Sequence, residues 1–252
     1  MPGDFLDHPV PLAFAHRGGS AHHPENSWPA FEHAVRLGYT YLETDARATS
    51  DGVLVAFHDA ALDRLTDQVG AIANLTASAV AAARIGGAEP IPVLAELLAA
   101  WPDVRFNIDV KHALTARPLA ELIRRAAAWD RVCITSFSAA RLHATRRYLD
   151  RPVAMATTLV GAAALGSGLP GRALAPVFGR RGVRCAQLPV RMATAALLAR
   201  AREAGLQVHV WTVNERALMN SLLDLGVDGL MTDNTELLRE VLIARGQWHP
   251  RA

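Results

Sequence analysis

From Pro92 onward, short apolar runs alternate with longer stretches of helical periodicity, and this alternation constrains the fold more than any other feature. Typical units are VRFNIDVK followed by PLAELIRRAAAW, and LQVHVWTV followed by RALMNSLLDLG. Counted from PLAFA at residues 11–15, the chain contains eight such strand–helix units. The strands are continuous apolar runs, as in a parallel sheet that helices cover. The pattern therefore predicts an α/β protein.

The length of the chain selects among the α/β folds. A chain of 252 residues matches the size of a (β/α)8 barrel, whereas an open doubly wound sheet usually has fewer strands. With 51% hydrophobic and 20% charged residues, the composition excludes a disordered chain. We predict a (β/α)8 TIM barrel that forms a single domain over residues 1–252.

Two segments interrupt this regular alternation. Residues 59–90 are mixed, punctuated by glycine and longer than an ordinary connection, which predicts a small insertion after the second strand, packed beside the barrel or acting as a lid. Residues 161–182 are rich in glycine, alanine and arginine. A flexible loop is the favoured interpretation of this segment. The alternative is an apolar surface, with Leu169, Val177 and Phe178 among arginines.

Polar residues collect at the carboxyl ends of the predicted strands. In a TIM barrel, catalytic residues lie at that end. Glu25, in the loop after the first strand, is expected either to orient His16 or to complement the positive end of a helix. The polar residues at strand ends are His16, Arg17, Glu43, Asp45, Asp109, Lys111, Ser136, Gln187, Trp211 and Asp233.

The stretch YLETD carries two acids that share one face of a strand. Tyr41, Glu43 and Asp45 are spaced by two, so their side chains point the same way. Two buried acids side by side repel each other, and a hard divalent cation is the usual compensation. An ordinary solvated strand face is the alternative. The turn at residues 50–52 and the apolar run VLVAF then return His58 towards the acids.

A third acid and two cations extend this pattern. Asp109 repeats the spacing with Lys111, and it can complete a three-carboxylate site with the two acids of YLETD. Lys111 is then a point charge for an anion, or simply an ion pair with Asp109. Arg17 offers a planar fork that suits phosphate oxygens. With His16 and His58 to move protons, the set indicates metal-assisted chemistry on a phosphate ester.

Five blocks together resemble the glycerophosphodiester phosphodiesterase family. They are HRGGSAHHPENSWPAF, ETDARATSDGVLVAFHDAALDRLTD, NIDVK, WTVN and DGLMTD, in that order over residues 12 to about 240. The first two blocks are the specific ones. The resemblance implies a TIM barrel with a small insertion after the second strand. It also implies metal-dependent hydrolysis of glycerophosphodiesters, as small-molecule substrates, to glycerol 3-phosphate and an alcohol.

The resemblance also implies roles for individual residues. One departure from the family pattern is Asp109, where the family often has glutamate, and the shorter side chain suggests a bridging water or a shifted metal. Carboxylate ligands without cysteine favour Mg²⁺ or Ca²⁺ over zinc. The implied roles are acid/base catalysis by His16 and His58, phosphate or substrate binding by Arg17, Lys111 and Trp211, and binding of one divalent metal ion by Glu43, Asp45 and Asp109.

Three other functions are weighed against this one. A lysophospholipase D or a sphingomyelinase D-like enzyme acting on lipids would need an exposed apolar rim. A non-catalytic binding protein would have lost a histidine or an acid of the site, and none is missing. A metal-dependent sugar isomerase on the same fold would have no need for Arg17 and two histidines.

The net charge, the cysteines and the N-terminal sequence indicate which partners and which cellular location to expect. A formal charge of +2 gives no reason to expect nucleic acid as a partner. No stretch approaches the roughly 18 apolar residues of a membrane span, so no stable membrane anchoring is expected. Cys133 and Cys185 lie in apolar contexts that predict buried thiols, and MPGDFLDHPV does not resemble a secretion signal. We expect a cytoplasmic protein, and the sequence leaves its oligomeric state open.

Overall fold

Eight apolar runs form a closed barrel of parallel strands in the computed structural model, which describes residues 5–250. Each barrel strand pairs with the next, and the last pairs with the first. This arrangement confirms the predicted (β/α)8 TIM barrel. The strands are β1 (Leu12–Ala15), β2 (Tyr41–Ala48), β3 (Arg105–Val110), β4 (Val132–Thr135), β5 (Ala154–Ala156), β6 (Val183–Pro189), β7 (Gln207–Trp211) and β8 (Gly229–Thr232).

Helices follow the strands and cover the outside of the barrel. The first begins at Trp28, where the Ser27 side chain accepts a hydrogen bond from the Ala30 backbone N–H at 3.4 Å and Pro29 lies in the first turn. The helices are α1 (Trp28–Arg36), α2 (Leu94–Ala100), α3 (Ala116–Arg125), α4 (Ala139–Tyr148), α5 (Leu159–Gly166), α6 (Gly171–Arg180), α7 (Ala195–Glu203), α8 (Arg216–Leu225) and α9 (Thr235–Ala244).

Side chains on β2 alternate between two cores. Tyr41 packs inside the barrel against Phe14, with ring centroids 4.9 Å apart, whereas Leu42 belongs to the core between strands and helices. Because Glu43 and Asp45 share the face of Tyr41, they also point into the barrel. The predicted face of YLETD is therefore the interior one.

The two cysteines also belong to the barrel interior. Cys133 and Cys185 are buried there and are not joined in a disulfide, which confirms the prediction of buried thiols. The expectation about a secretion signal rests partly on residues 1–4, which lie outside the described residues. In the part of the chain from 5 to 250, no helix has both the length and the apolar character needed to cross a bilayer.

The insertion after the second strand is a small structure with its own core. It begins with a strand, Leu54–Ala56, that runs antiparallel to β2, and it contains a one-turn helix at Ala77–Ala81 and a ribbon of Arg84–Ile85 with Glu89–Pro90. The structure places the predicted insertion beside the barrel. Its core residues are Val55, Phe57, Leu62, Ile72, Val80, Ala83, Ile85 and Ile91.

The expectation of a flexible loop at residues 161–182 is wrong, because the segment forms most of α5 and all of α6. Thr158 caps α5 by accepting from the Gly161 backbone N–H at 3.4 Å, and Phe178 anchors α6 in the core. Gly171 permits a close approach to α7, since a Cβ there would lie 1.9 Å from the Arg200 carbonyl oxygen. Tertiary packing therefore stabilises helices that the composition obscures.

Candidate active site

All eight residues predicted for the site line one cavity at the carboxyl ends of the barrel strands. Its volume is about 220 Å³. Local sequence spacing had placed these residues on four separate segments, and the closed barrel brings them together. They are His16, Arg17, Glu43, Asp45, His58, Asp109, Lys111 and Trp211.

His16 follows β1 directly and is held by an aspartate from the other end of the chain. Its Nδ1 lies 2.7 Å from Oδ1 of Asp233, which follows β8. The backbone turns sharply here: Gly18 has a φ of +84°, and a Cβ on it would lie 2.9 Å from the Cβ of Ala30 on α1. With Nδ1 engaged, the Nε2 atom faces the carboxylate of Glu43, at 3.9 Å from Oε2.

The charges around His16 favour its protonated form. Burial of the ring would lower the pKa of His16, but the carboxylates of Glu43 and Asp233 outweigh burial and raise it. Asp233 is itself held by Asn214, whose side-chain amide donates to Oδ2 at 2.8 Å. The first histidine therefore sits in a fixed orientation that two acidic side chains stabilise.

His58 reaches the same cavity from the antiparallel return after β2. Its Nδ1 lies 2.8 Å from Oδ1 of the next residue, Asp59. Arg64 donates to both carboxylate oxygens of Asp59, and its hydrogen bonds, with a smaller contribution from His58, lower the pKa of Asp59 to about 2. The second histidine thus has an ionised aspartate as partner, as the first one does.

Three buried carboxylates line the floor of the cavity. Glu43 and Asp45 lie on β2, and Asp109 lies directly opposite Asp45 in the β2–β3 register. Each is less than 10% exposed. Burial and the adjacent charge of Asp45 raise the pKa of Glu43 to about 7, and burial raises the pKa of Asp109.

Two cations compensate part of this negative charge. Lys111 Nζ lies 2.9 Å from Oδ1 of Asp45 and 2.5 Å from Oδ2 of Asp109. Arg17 Nε lies 3.3 Å from Oδ2 of Asp45. Burial alone would raise the pKa of Asp45, but the cations of Lys111 and Arg17 outweigh it and lower that pKa. Lys111 thus pairs with two acids, not with Asp109 alone.

The donor set of Glu43, Asp45 and Asp109 suits a hard divalent cation. Three carboxylates supply the oxygen ligands that Mg²⁺ and Ca²⁺ prefer, and Oδ1 of Asp109 is buried without a hydrogen-bond partner. Within residues 5–250, no three histidine, cysteine or acidic side chains stand at the spacing of metal ligands. A cation bound by these carboxylates would share Asp45 and Asp109 with Lys111.

The expectation that Glu25 orients His16 is wrong. Its Oε1 instead accepts from Arg17 Nη1 at 3.0 Å and from Arg64 Nη2 at 2.8 Å. Glu25 therefore links the guanidinium of the predicted phosphate ligand to the guanidinium that holds Asp59. Glu25 is close to His16 in sequence, but the loop turns the side chain of Glu25 towards two arginines and the ring of His16 towards Asp233.

Several further polar residues support the site, and local sequence patterns pointed to few of them. Asn26, in the PEN motif, donates to Oδ2 of Asp45 at 2.9 Å. Asn107 and Gln187 exchange amide hydrogen bonds of 3.2 and 2.8 Å across the barrel. Asn107 precedes Asp109 by two residues on β3, and this spacing was the signal that could have identified it.

The opposite wall of the cavity is largely apolar. Trp211, at the end of β7, meets Phe137 edge to face, with ring centroids 5.7 Å apart. Leu159 and Met192 continue this wall, with Arg191 beside them. A substrate would therefore meet charged groups on one side and apolar side chains on the other.

Comparison with known proteins places the chain in a family. A model described as the glycerophosphoryl diester phosphodiesterase family matches residues 16–237. A Mycobacterium tuberculosis protein named as a probable glycerophosphodiester phosphodiesterase is 42% identical over 258 residues, covering 97% of this chain and 96% of that protein. A human lysophospholipase D is 26% identical over 272 residues, covering 90% of this chain and 85% of that protein.

Solved structures agree with the fold. A phosphodiesterase from Oleispira antarctica, in complex with the product sn-glycerol-3-phosphate, superposes with a TM-score of 0.79 at 20% identity, covering 93% of this chain and 97% of that one. The family model covers nearly the whole barrel, from His16 to the start of α9. The chain belongs to the glycerophosphoryl diester phosphodiesterase family.

Proposed function

We propose that this protein hydrolyses glycerophosphodiesters to glycerol 3-phosphate and an alcohol. The observation that carries the proposal is a cavity with two histidines, each paired with its own aspartate, facing buried carboxylates and two cations. The family match and the relative at 42% identity support the same substrate class. Residues 1–252 act, in this proposal, as a single catalytic domain.

His16 and His58 move the protons of the reaction. One imidazole takes a proton from the attacking water as the new P–O bond forms, and the other donates a proton to the departing alkoxide as the old P–O bond breaks. Asp233 and Asp59 hold the two rings through Nδ1, so each presents Nε2 to the cavity. The alcohol therefore leaves neutral, and the phosphate stays with glycerol.

Arg17 and Lys111 bind the phosphate oxygens. Both side chains are less than a fifth exposed, and both now rest on Asp45. A phosphodiester carries one negative charge, and these two cations can bind its phosphate oxygens directly, with no water between them. Trp211, on the apolar wall, packs against the carbon atoms of the substrate.

Glu43, Asp45 and Asp109 would hold one divalent cation, Mg²⁺ or Ca²⁺. When bound, the cation supplies positive charge next to the phosphoryl oxygens. Its charge would offset the burial and the repulsion by Asp45 that raise the pKa of Glu43. Of the three ligands, Asp109 has the unpartnered oxygen that most needs such a partner.

The lipid-directed alternatives are not favoured. The relative at 42% identity is named for glycerophosphodiesters, whereas the lysophospholipase D relative is 26% identical. The remaining expectations stay predictions: a cytoplasmic location, no nucleic acid among the partners and no stable membrane anchoring.

Turnover of glycerophosphocholine tests the proposal. We expect glycerol 3-phosphate to accumulate without release of free phosphate, activity to disappear with a chelator, and Mg²⁺ or Ca²⁺ to restore it. His16→Ala and His58→Ala should each lower turnover by about 10²–10⁴. His143→Ala, an exposed histidine on α4 outside the cavity, is the control. Unchanged turnover in either site variant would show that the histidine has no part in the mechanism. Full activity in the presence of a chelator would show that the reaction needs no metal.

A further inference from the structure

The flank of the barrel formed by α4, α5 and α6 combines exposed apolar side chains with uncompensated positive charge. We call it the basic flank and define it as residues 137–181. Of the ten large apolar side chains that the described residues expose, six lie in it. They are Phe137, Tyr148, Leu159, Val160, Leu169 and Val177. Fewer than one fifth of the residues thus hold more than half of the large apolar side chains that the described residues expose.

The charge of the basic flank is as unusual as its hydrophobicity. It contains seven arginines and one acidic residue, a formal charge of +6. The rest of the chain has 19 basic and 23 acidic residues, a formal charge of −4. The modest charge of the whole chain therefore conceals a segment of strong positive charge, and exposed arginines of this segment attract anions.

A groove of about 620 Å³ runs along the flank between α4 and the α5–α6 pair. Its walls are mainly apolar, and Val160 and Val177 on them are 71% and 46% exposed. Arg146 and Arg181 line the groove and form no ion pair with any other described residue. Charge and apolar surface therefore lie side by side on one face.

The groove meets the candidate active site at the start of α5. Thr157 and Thr158 line both, and Leu159 lines the cavity while Val160 lines the groove. The Oγ1 atom of Thr157 is buried at this junction without a hydrogen-bond partner. A partner seated on the flank would therefore reach the edge of the cavity mouth.

We propose that the basic flank docks reversibly on the surface of an anionic lipid bilayer. Arginines attract the negative headgroups, and the exposed apolar side chains enter the boundary between headgroups and acyl chains. A nucleic acid would satisfy the arginines but leave the apolar side chains in water, so the combination favours a bilayer. The proposal concerns binding alone and does not rest on the proposed activity.

Sedimentation with vesicles tests the proposal on the full chain. We expect binding to vesicles with about one third phosphatidylglycerol in phosphatidylcholine, little binding to pure phosphatidylcholine, and loss of binding at high salt. Arg146→Ser with Arg181→Ser should weaken partitioning by about 20-fold or more, since each arginine near an anionic surface contributes roughly fivefold. Arg36→Ser with Arg216→Ser removes the same charge from other faces and should change partitioning far less.

A matched pair of variants tests the contact between the exposed apolar side chains and the bilayer. Val160→Ser with Val177→Ser should weaken binding several-fold, whereas Val69→Ser with Ile243→Ser, at 76% and 48% exposure, should leave it unchanged. Thermal unfolding would verify that all four proteins fold.

Three outcomes would overturn the proposal: no sedimentation of the wild-type protein with anionic vesicles, equal loss in the flank and control variants, or binding to duplex DNA without binding to vesicles.

Discussion

The two sides of the cavity mouth differ in how they are built. The side formed by β1, β2, β3 and β8 carries seven of the eight predicted site residues, and its charges are buried and paired with one another. The side formed by β4, β5 and β6 carries apolar walls, and behind it lies the basic flank, where all the arginines except the half-buried Arg141 face solvent.

This difference shows how burial determines whether a charged side chain is paired within the protein. A charge taken out of water needs a partner, and on the first side Arg17 and Lys111 each have an acid within 3.5 Å. On the second side the cations keep their hydration and stay available to a partner. We therefore expect mutations on the first side to affect stability and catalysis together, and those on the flank to affect surface binding.

The largest effect on stability should come from Lys111→Met. The change leaves Asp45 and Asp109 buried without the ammonium that bridges them, so the free energy of unfolding should fall by about 3 kcal/mol. Urea unfolding near neutral pH measures this. Arg117→Met breaks a pair with Glu121 in which the arginine is 71% exposed, so it should change the stability far less than Lys111→Met does.

The same variant sharpens the metal assignment. Without the ammonium, Mg²⁺ or Ca²⁺ should stabilise Lys111→Met more than it stabilises the wild-type protein, because the cation then meets no competing charge between Asp45 and Asp109. Two results would contradict the assignment of Lys111 as the cation that compensates Asp45 and Asp109. One is a Lys111→Met protein as stable as Arg117→Met, and the other is a Lys111→Met protein whose stability does not change with Mg²⁺ or Ca²⁺.

An intermediate effect is expected from Arg17→Lys. Lysine keeps the charge but loses the planar fork that now contacts Asp45 and Glu25, so kcat/KM should fall on the order of 10² while the fold is retained. Steady-state kinetics with glycerophosphocholine measures the loss. Arg36→Lys, on the exposed face of α1, is the control, and an equal rate in both variants would make Arg17 a structural residue.

The smallest effect concerns the rim of the first side, where Asp59 is 26% exposed and partly hydrated. Its folded pKa of about 2 lies below the unfolded value of about 3.9, so its pairing stabilises the protein above pH 4 and this contribution is lost as the pH falls towards 2. We expect Asp59→Asn to cost about 1 kcal/mol or less near pH 6 and much less near pH 2, where the folded carboxyl group is already partly protonated. Urea unfolding at the two pH values checks this, and a cost independent of pH would point to a packing effect instead.

Much of the first side could be predicted from local sequence, for a physical reason. The period of two on a strand places Glu43 with Asp45 on one face, and a short turn between Ala48 and Leu54 brings His58 back beside them. Such arrangements depend only on residues close together along the chain. The barrel itself also follows from local signals, since eight strand–helix units in this length have few other solutions.

Other features depend on contacts between distant segments. His16 and Asp233 are 217 positions apart and meet only because β8 closes the barrel against β1. Sequence proximity suggested Glu25 in place of Asp233. The helices α5 and α6 were not predicted, because glycine-rich segments rarely indicate a helix. Tertiary packing stabilises them, as the close approach of Gly171 to α7 shows.

The sequence by itself determined the class of fold, the family and eight of the side chains that face the cavity, because spacing along strands decides which way a side chain points. Only the tertiary structure decided which charges pair, that Lys111 bridges two acids, and that the arginines of α4 and α6 stand beside exposed apolar surface. Those outcomes depend on burial and on distances between segments. Neither quantity is encoded in the neighbourhood of a single residue.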